Sequence, residues 1–223
     1  MLDVLEVLMP TEFVALDLAC GPGAISQRLL KRFEQARCIA LDLDPVLLAI
    51  GQGALGDMNG RLRWVEADLM TDNWVQQLGE IQVDAVLTTT ALHWLPSDRT
   101  LQVYQHLGQL VRPGGVLLNG DIMPFPSHMA TCQRISKALA EHQEKEAFQQ
   151  RGVEDWKTWW QALEKEPALK ELFEKRQRCF AWRNSMKVEP ILDLHEAGLR
   201  EAGFREVGVI WQHLDERVLL AVR

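Results

Sequence analysis

Residues 13–23 read Phe-Val-Ala-Leu-Asp-Leu-Ala-Cys-Gly-Pro-Gly. Phe13 to Leu18 is an apolar run interrupted by a single acid, too short for a helix and fit for a strand buried on both faces. Ala19 to Gly23 then supplies a turn with little side-chain bulk. Beyond it Ile25, Leu29, Leu30 and Phe33 recur at helical spacing and share one face. A strand, a small-residue turn and a helix are the first unit of a parallel sheet.

The pattern repeats outward. Cys38 to Leu43 is a second strand, and Asp44-Pro45 opens a helix, because Asp caps and Pro fits the first turn. Leu62 to Glu66 is a third strand and Asp84 to Thr88 a fourth. Ser97 is placed to cap a helix whose buried stripe is Leu101, Tyr104, Leu107 and Val111. Pro113-Gly114-Gly115 stops that helix, and Val116 to Leu118 begins a fifth strand. From Pro190 the alternation resumes: a helix over 191–202 ending at Gly203, a strand over 204–211, and another over 217–222 joined by so few residues that it runs antiparallel. Such a sheet is covered by helices on both faces and binds ligands beyond the carboxyl ends of its strands.

Residues 121–189 break the rhythm. They are helical, charged and rich in tryptophan (Trp156, Trp159, Trp160, Trp182), and read as helices inserted after the fifth strand. Trp156 and Trp160 share a face, either packing the insertion onto the sheet or walling a pocket. The mixed-charge segment from Lys170 to Lys187 reads as a solvated helix face.

With 223 residues, 47% hydrophobic and 25% charged, the chain can bury one sizeable core and is expected to form a single domain. Net charge is −7, and only the middle block, 12 basic against 11 acidic residues, is near neutral, so no basic face for a phosphate backbone is visible by count. No apolar run is long enough to span a membrane. Met1 to Glu12 has Asp3, Glu6 and Glu12 and no Lys or Arg, which is wrong for a secretory or mitochondrial signal; the cytoplasm is the expected compartment. Cys20, Cys38, Cys132 and Cys179 form no CxxC pair and read as reduced thiols.

Three acids stand where strands end. Asp17 closes the first. Asp42 follows Gly23 by 19 residues, an offset that suits a carboxylate on ribose hydroxyls. Asp68, beside Leu69, could accept from an adenine amine. A nicotinamide site would need G-x-G-x-x-G, but position 26 is Ser, and the Gly-Lys-Ser/Thr of a P-loop is absent.

Taken in order, LDLACGPG, IALDLDP, VEADL, VDAVLTTTALHWL, LVRPGGVLL and the closing GFREVGVIWQHLDERVLLAVR resemble the class I S-adenosylmethionine-dependent methyltransferases. The resemblance covers residues 13–121 and 190–223. It implies a Rossmann-like, seven-stranded, mostly parallel α/β sheet in the order 3-2-1-4-5-7-6 with the last strand antiparallel. It also implies that residues 122–189 are a helical lid within the single domain, 1–223.

The family match assigns residues by position. Asp17 would hold the cofactor's methionine amino group, directly or through water. Ala19, Gly21 and Gly23 would form the cofactor turn, Ala19 standing where the family usually has Gly. Asp42 would bind the ribose, Leu43 pack on the adenine, Asp68 and Leu69 read the adenine, and Thr89 and Thr90 line the methionine arm. The product would be S-adenosyl-L-homocysteine. Transfer mainly requires alignment and exclusion of water, with a base only where the nucleophile arrives protonated. His93 is the candidate base, with His128 weaker; Trp94, Asp121, Trp156 and Trp160 are candidates for the acceptor. A metal-dependent site would want clustered acids, and Asp121 alone does not make one. Only about 12 residues precede the first strand, and Met1 to Leu8 can supply one short helix.

The expected reaction is methyl transfer to O, N or C of a small molecule, by a monomer or homodimer. A carboxy-S-adenosylmethionine synthase is an alternative from the closing segment, although that branch's arginine would fall at Gly198. A non-catalytic cofactor-binding regulatory protein is another. A tRNA or protein methyltransferase is disfavoured by charge.

Overall fold

The computed structural model describes residues 1–79, 81–147, 155–181 and 190–223. Seven strands form one sheet: β1 (Val14–Leu18), β2 (Arg37–Asp42), β3 (Leu62–Glu66), β4 (Val83–Thr89), β5 (Val111–Ile122), β6 (Glu206–His213) and β7 (Glu216–Val222). Their order is β3-β2-β1-β4-β5-β7-β6. The first five are parallel, and β7 lies antiparallel between β5 and β6, in agreement with the expected topology.

Alternate residues of each strand feed two apolar layers. On one face Leu16, Ile39, Val86 and Leu117 pack with Tyr104 and Leu107 of α5 (Ser97–Leu110) and Leu199 of α9 (Leu192–Glu201). On the other, Ala15, Ala40, Leu87 and Leu118 meet Leu5 of α1 (Leu2–Leu8), Leu29 of α2 (Ala24–Arg32) and Leu48 of α3 (Pro45–Leu55). A short α4 (Trp74–Leu78) buries Trp74 completely. Asp84 pins the start of the sheet: its carboxylate accepts from Val14 N at 2.7 Å and from Arg112 Nη1 at 2.9 Å.

Two local expectations change. Ser97 is the first residue of α5 and makes no capping hydrogen bond; the preceding Pro96 is extended, and the Thr100 hydroxyl donates to its carbonyl. Val111 belongs to β5 rather than to the helix, pairing with Val83, and residues 112–115 bulge before the ladder resumes at Val116. Gly115 has no room for a side chain, since a Cβ there would lie 2.7 Å from Asp84 O. Pro-Gly-Gly is thus a bulge within the β4–β5 pairing and not the stop between two elements.

The insertion contains α6 (Ala130–Lys145), α7 (Trp156–Leu163) and α8 (Lys170–Cys179). Trp182 and the part of the Lys170–Lys187 segment from residue 182 onward lie outside the described residues. α8 packs on α3. Its charged sequence is only partly a solvated face: Phe173 is buried, and Arg176 turns inward against Asp44. Among the described residues no helix is long and apolar enough to cross a membrane.

Candidate active site

A cavity of about 560 Å³ opens at the carboxyl ends of β1 to β4. Its size falls in the range of small-molecule pockets. The turn after β1 forms one wall. Ala19, Gly21 and Gly23 all have positive φ, at 56°, 55° and 81°, a conformation that costs Ala19 energy and the glycines little. Ala19, Cys20, Gly21 and Pro22 line the cavity. Gly23 does not: a Cβ there would lie 2.6 Å from the Trp64 ring, so this glycine makes room for that half-buried side chain.

Asp42 faces the cavity at the end of β2 and is 9% exposed. Oδ2 accepts from Gly21 N at 2.7 Å and Oδ1 from Asp44 N at 2.8 Å. Burial raises its pKa above the usual carboxylate range, while these N–H donors pull it back. The result is a carboxylate fixed in orientation, with lone pairs left to accept hydroxyls. Leu43, Asp68 and Leu69 line the same space. Asp68 also accepts from Met70 N at 2.8 Å.

Asp17 lies behind the cavity wall. It is 1% exposed, does not line the cavity, and accepts from Ser26 N at 2.9 Å and Ser26 Oγ at 2.6 Å. Burial pushes its pKa up to about 6 against those bonds. Its visible work is to hold the first turn of α2 behind the Ala19–Gly23 turn.

Thr89, Thr90, His93 and Trp94 bring the chain after β4 to the cavity. Thr90 adopts φ 51°, and its N–H donates to Gly120 O at 2.9 Å. His93 Nδ1 lies 2.6 Å from Asp121 Oδ1, and His93 N donates to Asp121 Oδ2 at 3.1 Å. Asp121 therefore does not reach the cavity as an acceptor-binding side chain. β5 runs on to Ile122, and the strand's alternation turns Asp121 to the same face as Leu117 and Asn119, where its side chain is fully buried. The carboxylate grips His93 instead.

Trp156 and Trp160 of α7 line the far wall together with Arg176 and Phe180. Trp156 stacks on Trp159 at 5.0 Å between centroids, and Trp160 meets Phe173 edge-on at 5.9 Å. Arg176, Phe180 and Ile122 are wall residues without a sequence signal of their own; a single arginine in a mixed-charge helix carries no pattern. Gly198 is buried in α9, where a Cβ would lie 2.4 Å from Leu101, so the arginine of a carboxy-S-adenosylmethionine synthase has no room.

Comparison with known proteins agrees with this geometry. Residues 15–115 match the family model of a methyltransferase domain. The trans-aconitate 2-methyltransferase of Escherichia coli is 36% identical over 106 residues, covering 48% of this chain and 37% of that protein. An uncharacterized methyltransferase of Mycobacterium bovis is 35% identical over 116 residues, 51% of this chain and 53% of that one. The chain thus spans roughly a third to a half of the length of these curated relatives. Among solved structures, an O-methyltransferase family protein from Burkholderia thailandensis superposes with a TM-score of 0.62 at 20% identity, covering 100% of this chain and 55% of that one. Human N-acetylserotonin methyltransferase, in complex with S-adenosylmethionine, gives 0.57 at 14%, covering 99% and 50%. These two show a shared fold. The matched segment, the strand order and the acid-bearing strand ends together support assignment to the class I S-adenosylmethionine-dependent methyltransferase family.

Proposed function

We propose that this chain binds S-adenosyl-L-methionine and transfers its methyl group to an O, N or C atom of a small-molecule acceptor. The observation that carries the reading is the meeting, in one cavity, of the rigidly held Asp42 carboxylate and a histidine backed by a buried aspartate. When bound, the cofactor supplies an electrophilic methyl group on a sulfonium. Asp42 would accept the two ribose hydroxyls, Ala19 and Gly21 would let the ligand approach the backbone, and Leu43, Asp68 and Leu69 would surround the adenine. Thr89 and Thr90 would flank the methionine arm. Asp17 would act on its amino group only through an intermediary such as water, since it is closed off by Ser26.

His93 takes the proton of an acceptor that arrives protonated. Asp121 can only accept while ionised, so the Nδ1 hydrogen is held on the Asp121 side and Nε2 is left with a free lone pair. Trp94, Trp156 and Trp160 would wall the acceptor, and the insertion, residues 122–189, would act as its lid within one domain. The reading places the enzyme in the cytoplasm, without a nucleic-acid partner.

Calorimetric titration with S-adenosyl-L-homocysteine tests it. Asp42→Ala removes charge-assisted bonds worth about 1.5–3 kcal/mol each, so affinity is expected to fall by an order of magnitude or more. Unchanged affinity in a folded variant would mean the cofactor sits elsewhere.

A further inference from the structure

One buried ion pair fastens the insertion to the cofactor side of the cavity. Arg176 Nε, in α8, lies 2.6 Å from Asp44 Oδ2. The Asp44 side chain is 4% exposed and that of Arg176 26%, whereas the neighbouring Lys175–Glu66 pair is open to water at 42% and 43%. Water therefore screens Arg176–Asp44 much less. The same guanidinium lies over the Trp160 ring, 3.9 Å from its centroid.

Asp44 makes three connections at once. Oδ1 caps α3 by accepting from Val46 N and Leu47 N, Oδ2 takes Arg176, and its backbone N–H donates to Asp42 Oδ1. A continuous set of contacts thus runs from the Asp42 carboxylate through Asp44 and Arg176 to the aromatic wall.

We propose that Asp44 and Arg176 form a latch that couples the ribose-binding carboxylate to the tryptophan wall, with Arg176 as a positioning residue that holds Trp160 over the cavity when the cofactor is bound. The proposal rests on the cavity being the S-adenosylmethionine site. A ribose on Asp42 immobilises the backbone from Asp42 to Asp44, so the Asp44 carboxylate costs less to order against Arg176, and Arg176 less to order on Trp160. Coupling is reciprocal: a wall held in place by the latch tightens the cofactor by the same factor.

Hydrogen–deuterium exchange of residues 156–181, with and without S-adenosyl-L-homocysteine, combined with calorimetry, tests the latch. The native protein should exchange more slowly in this segment when the ligand is added. Arg176→Gln should abolish the slowing and weaken the ligand by about 5- to 20-fold, within the usual span of coupling between sites. Asp44→Asn, which keeps a capping side chain on α3, should do the same, and the double variant should be no weaker than the worse single. The latch is refuted if Arg176→Gln binds within twofold of the native protein with the slowing intact, or if the two losses add. Asp42→Ala is measured alongside. If it weakens the ligand while Arg176→Gln does not, the latch alone falls. If neither matters, the cofactor site falls and the latch with it.

Discussion

His93 and Asp121 are 28 positions apart in the sequence and 2.6 Å apart at their nearest polar atoms. Removing a positioned base usually costs about 10²–10⁴ in rate. His93→Ala is therefore expected to lower kcat by that much while leaving S-adenosyl-L-homocysteine affinity within about twofold. A normal rate in the variant would make His93 a structural residue of the turn after β4. Both residues could be singled out from the sequence, because both stand near the carboxyl ends of strands, His93 after β4 and Asp121 at the end of β5. Their pairing could not, since it depends on how far β5 runs and which face Asp121 takes. Elsewhere a buried His195 accompanies Tyr104, 2.6 Å from Nδ1 to the phenol oxygen. Burial lowers the His195 pKa from 6.5 to about 4. Between those values the unfolded chain takes up a proton that the native state refuses, so stability is lost as pH falls from 6.5 to 4. The loss is on the order of 2–3 kcal/mol. Asp17 works the other way, holding its proton up to about pH 6 in the native state, so its contribution falls as pH rises from 3.8 to 6. Denaturant melts of native protein and His195→Gln at pH 7 and pH 4.5 isolate the histidine: the variant should lose less stability on acidification. Equal losses would show that His195 does not titrate in this range.

Helices α5 and α9 touch through glycines. A Cβ at Gly108 would lie 2.0 Å from Ala202 O, and one at Gly198 would lie 2.4 Å from Leu101. Gly108→Ala must push α9 away, an overpacking cost of about 1–3 kcal/mol. For a chain of this length that is a fall of roughly 2–12 °C in Tm; an unchanged melt would mean that the helices separate freely. The strand–helix alternation was legible because β1, β2 and β4 are apolar along most of their length and the connections after them carry Gly, Pro or Asp. The acids at the ends of β1 and β2 were legible for the same reason. The inward turn of α8 was not. Lys170–Cys179 has charges on every side, and only contact with Asp44 decides which of them faces in. Pro113–Gly115 misled for a related reason, since the same residues serve a helix stop and a bulge.

Across the whole molecule the charge is −7. Binding to a phosphate backbone depends on basic residues that release counterions. No tight complex with tRNA or duplex DNA is expected at physiological salt. A submicromolar gel shift that weakens steeply with added salt would overturn this and point to a nucleic-acid acceptor.

The placement of β7 has a consequence for how the chain is made. Residues 216–222 are synthesised after β6 yet sit between it and β5, hydrogen-bonded to both. Until they leave the ribosome, β5 is a raw sheet edge and β6 has no strand to join. Everything up to β5 can assemble as the nascent chain lengthens, but the far side of the sheet closes in a single late event. During that interval an exposed apolar edge is available to other chains. The growing polypeptide is thus most open to aggregation, and most in need of a chaperone, when the first six strands of the sheet have already been translated.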